Sequence, residues 1–242
     1  MTKLSVNVNK IALLRNSRGR DYPNVVAFAE KFIALGVQGI TVHPRQDQRH
    51  ITNQDAEDLA RLLAGYPEVE FNIEGYPSDP FLRLIEDTKP DQCTLVPDDV
   101  NQLTSDHGWD FTKHAGLLKG VCRRIAAAGT RTAAFVDPDP DQIERAAETG
   151  ADRIELYTES YAEAYGTARE EDTFARYELA ARAARQAGLG VNAGHDLDLD
   201  NLARFLEIEG VLEVSIGHAL TVECIERGME TVVRRYLEIC RG

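Results

Sequence analysis

The stretch GLGVNAGHD at residues 188–196 sets a short apolar run (Leu189, Val191, Ala193) against Gly194 and then His195. A histidine placed where a buried strand runs out is held by a rigid element and aimed into a space lined by loops. Other short apolar runs stop the same way: GITVH at 39–43, EFNIE at 70–74, and VLEVSI at 211–216 with Gly217 and His218 behind it. That recurrence, more than any single motif, sets the fold.

Outward from this stretch, β-rich runs alternate with runs of helical spacing. The other strand-like segments lie at residues 3–8, 93–96, 132–136 and 153–157. Helical spacing marks 24–35, where Val25, Phe28, Ala29, Phe32 and Ile33 share one face and Gly36 ends it. It recurs at 55–63, over about ten residues after a Ser78 cap, and at 112–128, 138–149, 173–187, 199–206 and 222–239. Strands joined by helical crossovers form parallel sheets. About eight such units most simply close into a (β/α)8 TIM barrel of the α/β class, one domain over residues 1–242. A doubly wound open sheet competes, but no GxGxxG or Walker-type loop follows the first strand, where such folds often hold a nucleotide.

The net charge of −13 argues against a nucleic-acid or membrane-surface binder, because phosphate backbones are repelled on average. It leaves room for a small phosphorylated ligand held by local Arg and His residues. Cys93, Cys122, Cys224 and Cys240 show neither a CxxC pair nor metal spacing, the pattern of reduced thiols in a cytoplasmic protein. No signal-like N-terminus appears, and no run reaches the ~18 apolar residues of a membrane span.

In a barrel the strand ends meet at one face, where active sites sit. That face gathers Asn7, Asn9, His43, Arg45, Glu74, Asp137, Glu155, His195, Gly217 and His218, with Arg18, His50 and Thr104 on neighbouring loops. One histidine at a strand end is commonly just solvated or structurally bonded. Three of them, His43, His195 and His218, with Glu74 at another strand end, read as a centre for general acid/base work. Three His and a Glu also suit zinc by ligand type, but they come one per strand without an HxH or HxxxH pair, and no metal is assigned. Late strands followed by a glycine and a helix are the usual barrel phosphate site, a description met by Gly194-His195-Asp196 and by Gly217-His218. Arg15, Arg18, Arg45, Arg49 and His50 form a second basic group, although for Arg15 and Arg49 ordinary surface charge is an equal reading. Two anion sites flanking a His/Glu centre point to two phosphorylated substrates, or one with two phosphates.

At these residues the sequence resembles the pyridoxine 5'-phosphate synthase family of vitamin B6 biosynthesis. The matching pieces are VNVNKIALLRNSRG at 6–19, GITVHPRQDQRHIT at 39–52, FNIEG at 71–75 and TKPDQCTLVPD at 88–98. They continue with RIELYTESYA at 153–162, VNAGHDL at 191–197 and SIGHAL at 215–220, in order over nearly the whole chain. The resemblance implies a cofactor-independent barrel enzyme, an octamer built from dimers, that condenses 1-deoxy-D-xylulose 5-phosphate with 3-amino-2-oxopropyl phosphate and releases phosphate and water. It gives His43, Glu74 and His195 the acid/base roles and Glu155 that of a transition-state carboxylate. Asn7, Arg18, Asp196 and Gly217-His218 fall where the aminoketone phosphate is held, and Asn9-Lys10, Arg45, His50 and Thr104 where the deoxyxylulose phosphate is held. Two positions depart from the pattern. Many members have Asp-His in place of Asn9-Lys10, and a glycine is common where Asp196 stands.

Two other functions remain open at this point. One is a different barrel enzyme acting on a sugar phosphate, for which Lys10 is the only lysine near a strand end for a Schiff base. The other is a phosphometabolite-binding protein without catalysis. The segments at 97–113 and 158–172 read as long loops able to act as lids, with a plain surface loop an equal reading for the second.

Overall fold

The computed structural model describes residues 1–98 and 105–242. Among the described residues the strands are β1 (Lys3–Asn7), β2 (Gly39–Val42), β3 (Glu70–Gly75), β4 (Gln92–Leu95), β5 (Arg131–Val136), β6 (Arg153–Tyr157), β7 (Gly190–Gly194) and β8 (Val211–Ile216). They pair in parallel, each with the next, and β8 returns to β1 to close the barrel. The helices are α1 (Asn9–Asn16), α2 (Val25–Ala34), α3 (Asn53–Leu63), α4 (Asp79–Thr88), α5 (Phe111–Ala127) and α6 (Pro140–Ala147). They continue with α7 (Glu159–Ala164), α8 (Glu170–Gln186), α9 (Leu202–Phe205), α10 (His218–Arg227) and α11 (Met229–Arg241).

Alternation along each strand sorts two environments. Leu4 and Val6, Ile40 and Val42, Phe71 and Ile73, Ile154 and Leu156, and Val214 and Ile216 belong to the main apolar core shared with the helices. Full burial of side chains like these stabilises by about 1.5–3 kcal/mol each. The intervening positions are polar. Ser5 and Thr41 hydroxyls lie 2.7 Å apart, and Thr94 Oγ1 lies 3.0 Å from Asn72 Oδ1 and 3.4 Å from Glu155 Oε2. Nearer the strand starts, Arg131 donates to Glu70 (2.7 Å) and Gln92 (3.0 Å), and Arg153 donates to Asn192 (3.1 Å). Satisfied pairs of this kind offset the cost of burying polar groups.

Helix starts follow local chemistry. Thr52 and Asp55 form a reciprocal capping box on α3, and the Ser78 hydroxyl accepts the Phe81 N–H of α4, as expected from its cap. One element is added and two expectations are corrected. The first βα connection holds α1, which sequence spacing did not mark. The 158–172 segment is largely α7 and the start of α8, not a long loop. The single closing helix at 222–239 is two, α10 and α11, divided at Gly228, whose φ of 89° favours glycine. In the other proposed lid, residues 99–104 lie outside the described residues, and α5 already begins at Phe111.

Candidate active site

The mouth is assembled from the ends of β1, β2 and β3 on one side. Asn7 Oδ1 accepts the Asn9 N–H (3.0 Å), and Asn9 Oδ1 accepts the His43 N–H (2.9 Å). This chain of bonds fixes the backbone from which the His43 imidazole projects. It needs an acceptor at position 9, which Asn supplies as well as Asp. Asn7 Nδ2 in turn donates to Glu74 Oε2 at 3.4 Å.

His43 is 6% exposed, and its Nδ1 lies 4.0 Å from Glu74 Oε2. Burial, with help from the Arg45 charge, pushes the His43 pKa down to about 3, so the ring is neutral at neutral pH. Burial, with Glu155, Asp98 and Glu213 adding repulsion, pushes Glu74 well above the carboxylate range and keeps its proton. Adjacent groups therefore carry a lone pair and an acidic proton. One layer deeper, Glu155 is raised to about 8 by burial and by Glu213. A Cβ on Gly194 would clash with Glu155 Oε1, so the glycine is what lets the carboxyl occupy its place.

Arg45 is 7% exposed and its Nη1 donates to Asp98 Oδ2 at 2.8 Å. His50 Nδ1 accepts the Ile51 N–H at 2.9 Å, which places the ring proton of the neutral form on Nε2. Burial and the Arg45 charge lower His50 to about 4. His43, Arg45, Tyr76, Ser78 and Asp98 line a cavity of about 320 Å³.

Across the mouth, His195 follows Gly194 as expected, but both His195 (φ 76°) and Asp196 (φ 47°) are left-handed. Glycine suits such a backbone better than Asp does. The Asp196 carboxylate is turned onto His195 Nδ1 at 2.5 Å, and this contact is the first cause of its lowered pKa. The His195 ring meets Tyr157 edge-on, with centroids 5.1 Å apart. Tyr157, Phe135 and Val96 form an apolar cluster separate from the main core.

Gly217 caps α10 and packs on Asn7, while His218 begins the helix and is exposed. Backbone N–H groups of a ten-residue helix thus open onto the mouth, as anion binding requires. Position 194–196 does not meet the same description, because the next helix, α9, starts only at Leu202 and has four residues. Lys10 lies in α1, where its charge lowers the pKa of both His50 and Asp196. Arg18 is exposed just past α1, and its side chain bonds to no described residue. Thr104 lies outside the described residues. Arg15 belongs to the scaffold, since it grips Asp55 at 2.5 and 2.8 Å; Arg49 pairs with Asp47 at 2.7 Å. No three His, Cys, Asp or Glu side chains among the described residues converge as metal ligands.

Sequence reasoning missed Asp98, Phe135 and Tyr157 as parts of the mouth. Asp98 stands just beyond the strand-like run CTLV, so a strand-end carboxylate was there to be read. The aromatics carried no signal that separated them from core residues.

The sequence profile of the pyridoxal phosphate biosynthesis protein PdxJ family matches residues 4–242. A pyridoxine 5'-phosphate synthase of Bacteroides thetaiotaomicron is 51% identical over 242 residues, covering all of both chains. Its counterpart in Christiangramia forsetii is 50% identical, again covering all of both. Among solved structures, phosphoribosyl anthranilate isomerase from Thermotoga maritima superposes with a TM-score of 0.64 at 14% identity, covering all of both chains. KGPDC from Streptococcus mutans gives 0.67 at 10% identity, covering 100% of this chain and 98% of the other. At such identities these structures speak for the barrel alone.

Proposed function

The chain belongs to the pyridoxal phosphate biosynthesis protein PdxJ family, and on that premise we propose that it is a pyridoxine 5'-phosphate synthase. It joins 3-amino-2-oxopropyl phosphate to 1-deoxy-D-xylulose 5-phosphate, closes the pyridine ring, and releases phosphate and water. The observation that carries the chemistry is the His43–Glu74 neighbourhood, a neutral imidazole 4.0 Å from a protonated carboxyl. Imine formation and dehydration need a base and an acid in turn, and a neutral imidazole beside a protonated carboxyl places a proton acceptor and a proton donor together.

In this reading His43 takes protons from the amine and the condensing carbon, and Glu74 returns them to the departing oxygen. His195, on the opposite side, is the acid for phosphate departure or ring closure. Glu155 is a proton-bearing donor behind them that stabilises developing negative charge. Arg45 and His50, with Asn9-Lys10 and Thr104, hold the deoxyxylulose phosphate. Asn7, Arg18, the backbone at Asp196 and Gly217-His218 at the start of α10 hold the aminoketone phosphate. The Val96–Phe135–Tyr157 patch offers a flat ring an apolar wall. Single-turnover assays of His43→Ala, Glu74→Gln and His195→Asn test these roles. Each variant is expected to accumulate a different intermediate, and a shared stall point for all three would overturn the division of labour.

The same reading includes a homo-oligomer, an octamer built from dimers, at a cytoplasmic address. Exposed Leu13 and Leu14 on α1 and Val222 and Ile225 on the adjacent α10 support the assembly, Ile225 being 76% exposed. No helix among the described residues is long and apolar enough to cross a membrane. Light scattering of the purified chain checks the assembly, and a monomeric mass would refute it.

A further inference from the structure

Beyond the residues already given roles, one buried carboxylate faces both halves of the deoxyxylulose side of the mouth. Asp98 follows β4 by three residues and is 6% exposed. Its Oδ2 accepts from Arg45 Nη1 at 2.8 Å and from Ser105 Oγ at 3.0 Å, and lies 3.9 Å from His43 Nε2. Its Oδ1 is buried with no hydrogen-bond partner among the described residues. With Glu74 Oε2 4.0 Å from Nδ1, the His43 ring stands between two carboxyl groups, neither within hydrogen-bond reach. A buried oxygen left without a partner is costly, so the arrangement is one that a change at Arg45 can tip.

We propose that Asp98 is a positioning residue that couples phosphate capture at Arg45 to the orientation of His43. The idea rests on the reading of Arg45 as a phosphate anchor. Without an anion, Asp98 holds the guanidinium, keeping it in place and partly masking its charge. A phosphate, with more charge and more acceptor oxygens than a carboxylate, takes over the Arg45 donors. Repulsion from the new anion then turns Asp98 toward His43 Nε2, a movement of about 1 Å to reach hydrogen-bond distance. The imidazole is thereby fixed, with Nε2 carrying the proton and Nδ1 offering its lone pair toward Glu74 and the substrate. His43 becomes oriented for proton transfer only once a phosphorylated substrate has arrived.

The test is Asp98→Asn, which keeps the shape and removes the charge. Because the competing carboxylate is gone, the KM for 1-deoxy-D-xylulose 5-phosphate is expected to fall several-fold. Because the uncharged amide is no longer driven toward His43 Nε2 by the incoming phosphate, kcat is expected to fall at least tenfold. A merely structural role would raise KM instead, and a raised KM, or an unchanged kcat, overturns the coupling. A second measurement needs no variant at position 98 and no turnover. The ¹⁵N signals of His43 in the wild-type protein, assigned by their loss in His43→Asn, are followed while inorganic phosphate is added. A shift toward the Nε2–H tautomer as Arg45 fills supports the proposal, and signals that stay put refute it. A wild-type chain that makes no pyridoxine 5'-phosphate counts against the proposed function, whereas a working enzyme indifferent to Asp98→Asn counts against this inference alone.

Discussion

Gly194 shows how a single missing atom makes room for a buried carboxyl. Its space is filled by Glu155 Oε1, and a methyl there pushes the carboxyl off its seat. Gly194→Ala is expected to lower kcat at least tenfold and to cost about 1–3 kcal/mol from overpacking, read by steady-state kinetics and urea melts. Asn9 makes a complementary case. Asn9→Asp keeps an acceptor for the His43 N–H, while Asn9→Ala leaves that donor without one, a loss of about 1–3 kcal/mol. Asn9→Ala is therefore expected to lower kcat far more than Asn9→Asp, and equal losses would show that the bond does not matter. At this scale the sequence was legible in residue type: His43, Glu74 and His195 stood out because polar side chains ended apolar runs. Their partners were not. That Asn9 serves the backbone of His43 is a contact between residues 34 positions apart, and that Asp196 turns onto His195 depends on a loop with positive φ; no local pattern announces either.

Among the elements, α1 is tied to α3 by a sheltered ion pair. Arg15 reaches across to Asp55, which also accepts the Thr52 N–H and hydroxyl in the cap of α3. Both side chains are only 12% and 11% exposed, so the pair is sheltered from solvent. Asp55→Ala removes the cap partner and strands a guanidinium, and is expected to destabilise by about 2–4 kcal/mol in urea melts. A loss under about 0.5 kcal/mol would mean the pair behaves as an ordinary surface bridge. Spacing could not reveal α1, because only Ile11 and Ala12 are buried while Leu13 and Leu14 face outward. Likewise the α10–α11 break hid within a continuous helical pattern, where a glycine such as Gly228 is readable either as tolerated or as a stop. Strands and longer helices were read well, since each buries one consistent set of alternating or three-to-four-spaced side chains.

For the whole molecule, the polar barrel interior makes stability depend on pH. Burial, with Glu70 adding repulsion, raises Glu213 to about 7, and Glu155 stands at about 8, both above an ordinary value of 4.5. The folded protein thus holds protons that the unfolded chain has released over this interval. Their contribution is complete below about pH 4.5 and is lost as pH rises through about 7–8. Glu213→Gln is expected to remove on the order of 2 kcal/mol of this decline, seen as a smaller drop between urea melts at pH 5 and pH 9. Identical drops in both proteins would contradict it. Barrel closure was legible because eight alternating units leave few other arrangements. The polar lining was not, since alternation reads the same whether the polar face meets solvent or the inside of a barrel.

The most direct measurement mixes chelator-treated protein with 3-amino-2-oxopropyl phosphate and 1-deoxy-D-xylulose 5-phosphate, then quantifies pyridoxine 5'-phosphate and released phosphate. One phosphate per pyridoxine 5'-phosphate is expected from the wild-type chain, and neither product from His43→Ala. A folded, phosphate-binding wild type that yields no pyridoxine 5'-phosphate would contradict it.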